Sequence, residues 1–145
     1  NENVLVKAEA KLALLDVKKG KPVVISAEKM EKYVPETKKV FDCELPSLKS
    51  CAAFDECIPI HLRRSDIDFN GHVHNTKYMD FALETIPEEV YAQNEYSSFR
   101  IVYKHALTLE DETRITQTKT DMGYTMCIYS EEKLCCIVEM NIAHQ

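Results

Sequence analysis

The chain has 145 residues, 45% of them hydrophobic and 29% charged, with a formal net charge of −6. That length carries one domain with its own core, and the acidic balance argues against a general nucleic-acid binder while leaving room for a local basic patch. No apolar run approaches the roughly 20 residues of a membrane helix, so neither nucleic acid nor membrane is expected as a partner.

In chain order, residues 4 to 15 alternate loosely around Val4, Val6, Leu12 and Leu14, and Lys18-Lys19-Gly20-Lys21 reads as a turn into a second short β-run over Pro22-Val23-Val24-Ile25-Ser26. A hairpin follows from this pattern. Ser26 is placed to N-cap a short helix reaching Tyr33, with Glu28 in its first turn and Pro35 as its stop. Residues 35 to 56, punctuated by Pro35 and Pro46 and holding no period, read as a linker. The chain opens on Asn1-Glu2-Asn3 without a methionine, and a hairpin followed by a linker reads as the tail end of a preceding unit.

The pattern then sharpens. Ile58, Ile60 and Leu62 alternate with polar residues in a half-buried strand that Pro59 assigns to a sheet edge. Tyr78, Met79, Ala82, Leu83 and Ile86 recur at helical spacing, with Asn75 or His74 as the cap; Pro87 interrupts, and Glu88-Glu89 suit the first turn of a second short helix. From Ser97 onward the chain reads as β. Phe99, Ile101, Tyr103, His105, Leu107 and Leu109 share one face of a long strand; Thr113 to Thr120 form the next, Met126 and Ile128 mark a third, and Leu134, Cys136, Val138, Met140 and Ile142 line one face of the last. The expectation is an α+β domain, an antiparallel five-stranded sheet with one long helix packed across it.

Six cysteines occur, at positions 43, 51, 57, 127, 135 and 136, with no C-x-x-C pair and no histidine spacing that completes a zinc site. They read as small core residues in a reducing compartment, and no metal or cofactor is called for. His61, His105 and His144 read as strand residues.

The stretch from Arg63 to Tyr78 carries the chemistry. Asp68, Asn70 and His72 sit at i, i+2 and i+4, so an extended backbone would point all three side chains one way. Acyl hydrolysis needs activated water or a nucleophile, a base, and donors for an oxyanion. His72 is a base that changes charge near neutrality, Asn70 offers an amide N–H, and Asp68 can orient His72, bind water or attack directly. Gly71 lets a substrate approach the main chain, and backbone N–H groups near His72 and Val73, and at the start of the helix, add positive field. Asp, Asn and Gly in a row are also turn formers, so the spacing alone leaves catalysis and plain structure both open.

Residues 63 to 79, Arg-Arg-Ser-Asp-Ile-Asp-Phe-Asn-Gly-His-Val-His-Asn-Thr-Lys-Tyr-Met, continued through Ala82-Leu83-Glu84-Thr85-Ile86-Pro87, closely resemble the signature of the acyl-ACP (acyl carrier protein) thioesterases of bacteria and plant plastids. Ala10 to Ile25 is similar to the last hairpin of that family's first half. The resemblance implies two hotdog folds in tandem. Residues 1 to 34 would then be the closing hairpin and short helix of the first, 35 to 56 the connection, and 57 to 145 a hotdog thioesterase domain. It further implies hydrolysis of the acyl-ACP thioester to a free fatty acid, with catalytic Asp68, Asn70 and His72, and Gly71, Val73 and Asn75 at the substrate. Against the tyrosine-basic-basic-Glu-Cys pattern of the family's later strand, this chain reads Tyr103-Lys104-His105-Ala106-Leu107. A cysteine nucleophile at Leu107 is therefore excluded, and the glutamate that positions water is Ala106. Either a neighbour such as His105 substitutes for it, although strand alternation sends His105 to the opposite face, or activity is reduced. His74 replaces the usual asparagine before Asn75.

An acidic carrier protein would dock on Arg63, Arg64, Lys77, Arg100 and Lys104. A lone hotdog leaves a sheet edge in need of cover, so a homodimer or pairing with an N-terminal hotdog is expected. The expected localisation is cytoplasmic, bacterial cytosol before plastid stroma. Two other readings stand: an acyl-CoA thioesterase of single-hotdog type, with Asp68 as nucleophile, and a non-catalytic acyl or carrier-protein binding module.

Overall fold

The computed structural model describes residues 3–34, 39–42, 44–51, 53–93 and 96–143. The chain divides into two compact units, Asn1–Pro46 and Ser47–Gln145.

In the first unit the hairpin is much shorter than the apolar alternation predicts. β1 (Leu15–Asp16) pairs with β2 (Lys21–Pro22), and Val23 N–H donates to Leu14 O at 2.9 Å, but residues 4 to 14 form no strand. Val4, Leu5, Val6 and Leu12 are exposed, so their alternation has no second surface to bury it. The turn is set by Asp16, whose Oδ1 accepts the N–H groups of Lys18 and Lys19 at 2.9 and 3.1 Å, and by Gly20 at φ +61°. α1 (Ala27–Glu31) begins as expected, with Ser26 Oγ accepting Lys29 N–H at 3.4 Å, and ends two residues short of Tyr33. Pro35, Cys43 and His144 lie outside the described residues.

The second unit is built on a five-stranded antiparallel sheet in the order β3-β5-β6-β7-β4. Its strands are β3 (Glu56–Ile60), β4 (Tyr96–Tyr103), β5 (Thr113–Thr120), β6 (Gly123–Ser130) and β7 (Lys133–Ile142). β3 lies at one edge, which is where Pro59, lacking an N–H, can be tolerated. Upstream of β3, Asp55 N–H donates to Gln117 O at 2.8 Å and Thr118 Oγ1 donates to Ala53 O at 3.1 Å. Part of the expected linker is thus attached to β5.

The alternating residues of the central strands make the core. Ile115, Tyr124, Met126, Ile128, Cys136, Val138 and Met140 pack on one face against Tyr78, Phe81, Ala82 and Ile86. The helical layer comes from α2 (Lys77–Leu83) and α3 (Glu88–Gln93), in place of one long helix. After Leu83 the chain tightens into i→i+3 turns, with Thr85 N–H to Ala82 O at 3.2 Å and Ile86 N–H to Leu83 O at 3.1 Å, before Pro87 starts α3. Buried Gln117 on β5 is satisfied by Thr85, its Nε2 donating to the carbonyl oxygen at 2.6 Å.

Cys127, Cys135 and Cys136 are buried as small core residues, whereas Cys57 is exposed. Burial raises the thiol pKa of all three buried cysteines, that of Cys136 to about 12.

Candidate active site

The approach to the site is fixed by a buried carboxylate that the sequence reading passed over. Asp66, fully buried, accepts Arg63 N–H at 2.8 Å and the Arg63 guanidinium at 3.3 Å, while its carbonyl oxygen accepts His74 N–H at 2.8 Å. Arg63 and Asp66 thereby hold both ends of the loop that carries Asp68, Asn70 and His72.

That loop is not extended. Ile67 and Val73 form an isolated antiparallel bridge, and Gly71 N–H donates to Asp68 O at 3.1 Å, so residues 68 to 72 close a tight turn. The Asp68 carboxylate organises it: Oδ1 accepts Asn70 N–H at 2.8 Å and His72 N–H at 3.2 Å, and Oδ2 faces Asn70 Nδ2 at 3.5 Å. Partial desolvation raises the Asp68 pKa, but the His72 and Asn70 hydrogen bonds and the nearby His72 charge outweigh it and hold the carboxyl below its ordinary value. Gly71 sits at φ +79° with open space where a Cβ would project, so its role is the left-handed turn rather than close approach of a substrate. The structure thus replaces side-chain alternation with turn chemistry as the reason these residues are neighbours.

Two further expectations are corrected. The backbone N–H groups near the histidine are already used: His72 N–H on Asp68, and Val73 N–H on Leu107 O at 2.8 Å. At the helix start two N–H groups are also used, Lys77 N–H on His74 O at 2.8 Å and Met79 N–H on Thr76 O at 3.1 Å. Thr76 is the N-cap and has no side-chain bond to the helix; instead the His74 ring, through Nδ1, accepts Thr76 N–H at 3.3 Å just ahead of α2.

The far side of the site comes from the end of β4. The expected long strand stops at Tyr103, because Lys104 and His105 both donate their N–H groups to Cys135 O, at 2.8 and 3.1 Å, and the chain bends away. Alternation fails there, so Lys104, His105 and Ala106 all face one cavity of about 210 Å³, together with Asp68 and His72. Val73, Asn75, Tyr78 and Tyr103 complete its lining. His105 therefore does not sit on an opposite strand face. Asn70 is tied to Asp68 but is not among the lining residues. Gly71 instead borders a second, larger depression with Arg64, Ile67, Thr108, Leu109 and Glu110.

Two tyrosines that the spacing assigned only to packing hold the segments in place. Tyr103 OH donates to Asn75 O at 2.9 Å, and the buried Tyr78 hydroxyl accepts Leu107 N–H at 3.1 Å. The two rings meet edge to face, centroids 5.3 Å apart. Burial raises both phenol pKa values, that of Tyr78 to about 12. The one sequence signal for this group was the Tyr103–Leu107 stretch itself. Leu107 is completely buried, its N–H on Tyr78 and its carbonyl on Val73, which gives that position a structural role.

Of the five basic residues expected to dock a partner, three are paired within the unit: Arg63 with Asp66 at 3.3 Å, Lys77 with Asp80 at 2.8 Å and Arg100 with Glu139 at 3.2 Å. Arg64 and Lys104 each border a cavity and form no ion pair with a described residue. Among the described residues no group of three or more acidic, histidine or cysteine side chains is arranged to hold a metal ion.

Comparison with known proteins relates the chain to one family by sequence and fold. Residues 52–142 match the acyl-ACP thioesterase C-terminal domain. The chain is 42% identical over 48 residues to the chloroplastic dodecanoyl-acyl-carrier-protein hydrolase of Cinnamomum camphora, an alignment covering 33% of this chain and 13% of that protein. It is 30% identical over 83 residues to the chloroplastic oleoyl-acyl carrier protein thioesterase 1 of Arabidopsis thaliana, covering 57% and 23%. The fold matches the 12:0-ACP thioesterase from Umbellularia californica with a TM-score of 0.79 at 19% identity, over 90% of this chain and 53% of that one. It also matches, more distantly, a thioesterase from Thermus thermophilus complexed with coenzyme A and zinc, with a TM-score of 0.56 at 13% identity, over 66% of this chain and 82% of that one. The chain thus spans about half the length of its solved plant relative, and its second unit has the hotdog architecture. With the match extending over residues 52–142, the chain belongs to the acyl-ACP thioesterase C-terminal domain family.

Proposed function

We propose that the chain contributes the active site for hydrolysis of the acyl-ACP thioester by water, releasing a free fatty acid. The observation that supports this reading is the meeting of Asp68 and His72 in one cavity with the end of β4. The backbone N–H groups of His72 and Val73 are committed elsewhere, so the carbonyl oxygen falls to side chains: the His72 ring, which borders the cavity, and the Asn70 amide, which must turn from Asp68 to reach it. Asp68 keeps both in place and carries the negative charge beside His72. With Leu107 buried and Ala106 a methyl group, no cysteine or glutamate takes part at those positions.

The test is steady-state hydrolysis of an acyl-ACP by the full chain and by Asn70→Ala and His72→Ala variants. Loss of one oxyanion donor costs about 10²–10³ in rate in other enzymes, and each variant should fall by at least that factor. Parent-like turnover in both would reject the site. The same assay with an acyl-CoA separates the carrier-protein reading from a CoA one.

Docking of the acidic carrier falls to Arg64 and Lys104, and steep loss of rate with added salt is the expected sign. The two edge strands, β3 and β4, are the surfaces on which a second copy or an N-terminal hotdog would complete the sheet. No described helix is long and apolar enough to cross a membrane. The proposed reaction belongs to a compartment that holds acyl carrier protein, cytosol or plastid stroma.

A further inference from the structure

Attack of water on a thioester needs a lone pair placed to receive a proton near neutral pH. The segment from Tyr103 to Ala106, with Tyr78 beside it, offers few candidates. The Tyr78 and Tyr103 phenols are engaged with Leu107 and Asn75, and an un-ionised phenol is no base. The Lys104 ammonium has three donors and no lone pair. Ala106 carries nothing. His105 remains: its backbone is pinned by the bond to Cys135 O at 3.1 Å, the residue borders the cavity, and its ring forms no hydrogen bond with a described residue. On the loop, the His72 ring is assigned above to the carbonyl oxygen rather than to the water, and Asp68 Oδ1 already accepts two backbone N–H groups, so that moving the carboxylate would open the turn.

We propose that His105 is a catalytic residue of this site, the base that takes the proton of the attacking water. The proposal rests on the thioesterase reading given above. In the step, the water oxygen bonds to the carbonyl carbon while one O–H bond breaks. The proton moves to the unprotonated ring nitrogen of His105, and the carbonyl electron pair moves onto oxygen. When the adduct collapses, the C–S bond breaks, sulfur leaves with the electron pair, and the imidazolium returns the proton to it. Acid and thiol are the products, His105 is restored, and no other reactant is required. The titratable groups around His105 are Asp68 and His72 on the loop, Tyr78 on α2, and Tyr103 and Lys104 on its own segment, with Cys136 of β7 close to both tyrosines.

The experiment compares the full chain with His105→Gln and with His105→Gln/Ala106→Glu, measuring kcat, KM and the pH profile of acyl-ACP hydrolysis alongside Tm. Because His105 is exposed, Tm should stay at the parent value. A lost general base typically costs about 10²–10⁴ in rate, so kcat should fall at least 100-fold while KM moves little. Ala106 borders the same cavity, so the glutamate of the double variant should restore part of kcat, with the acid limb of the profile moved to lower pH as a carboxylate replaces an imidazole. Parent-like kcat in His105→Gln, or a change confined to KM, overturns the assignment to His105. Absence of hydrolysis by the parent chain overturns the thioesterase reading itself, a separate result.

Discussion

At the scale of single residues, Asp68 has two duties that experiment can separate. Its Oδ1 closes the turn on the amides of Asn70 and His72, and its charge faces the His72 ring. An asparagine keeps an acceptor oxygen and loses the charge; an alanine loses both. Asp68→Asn should therefore retain hydrogen-exchange protection of the Asn70 and His72 amides, Asp68→Ala should lose it, and both should lose activity. The pH dependence has a definite sign. The folded carboxyl titrates below its ordinary value of 3.8, so its stabilising contribution is fully present above that value. It disappears as pH falls from there through the lowered folded value, and the two amides should lose protection over that acid range. The identities of Asp68, Asn70 and His72 were legible from the sequence, but the reason for their proximity was not: two-residue alternation and an Asx-type turn both bring i, i+2 and i+4 together, and only coordinates distinguish them.

At the scale of elements, the turn between β5 and β6 carries the strictest requirement. Gly123 sits at φ +155°, and a Cβ there would lie 2.1 Å from Met140 O on β7. Gly123→Ala must therefore displace backbone in two neighbouring strands. It should cost on the order of 1–3 kcal/mol, the range for overpacking, and lower Tm by several degrees. Chemical denaturation read by circular dichroism measures it, and an alanine variant with parent stability would show the β6–β7 register to be wrong. The strands were legible because Ile115, Met126, Ile128, Val138 and Met140 alternate against polar neighbours and do lie on one buried face. Apolar alternation overruns the end of β4, since Leu107 and Leu109 continue it while Lys104 and His105 are already turned toward the carbonyl of Cys135. Apolar period records which residues want burial; it does not record where the partner strand ends. The first unit teaches the same lesson, for its exposed valines and leucines alternate without forming a strand.

For the second unit as a whole, buried acids of high pKa set a limit at alkaline pH. Burial raises the Tyr78 phenol from 10.0 to about 12 and the Cys136 thiol from 9.0 to about 12. Both groups hold their protons more tightly when folded, so the stability they contribute is complete below their unfolded values and is lost as pH rises through about 12. Denaturation midpoints should fall steadily across that interval, and Tyr78→Phe should flatten the fall while costing about 1–3 kcal/mol at neutral pH for the unsatisfied Leu107 N–H. The role of Leu107 has a consequence beyond stability. One peptide strap, through its two backbone groups, ties the acidic turn, the first helix of the layer and the tail of the edge strand into a single mechanical piece. His105 lies two positions back along that strap, so the cavity's two walls share one backbone anchor.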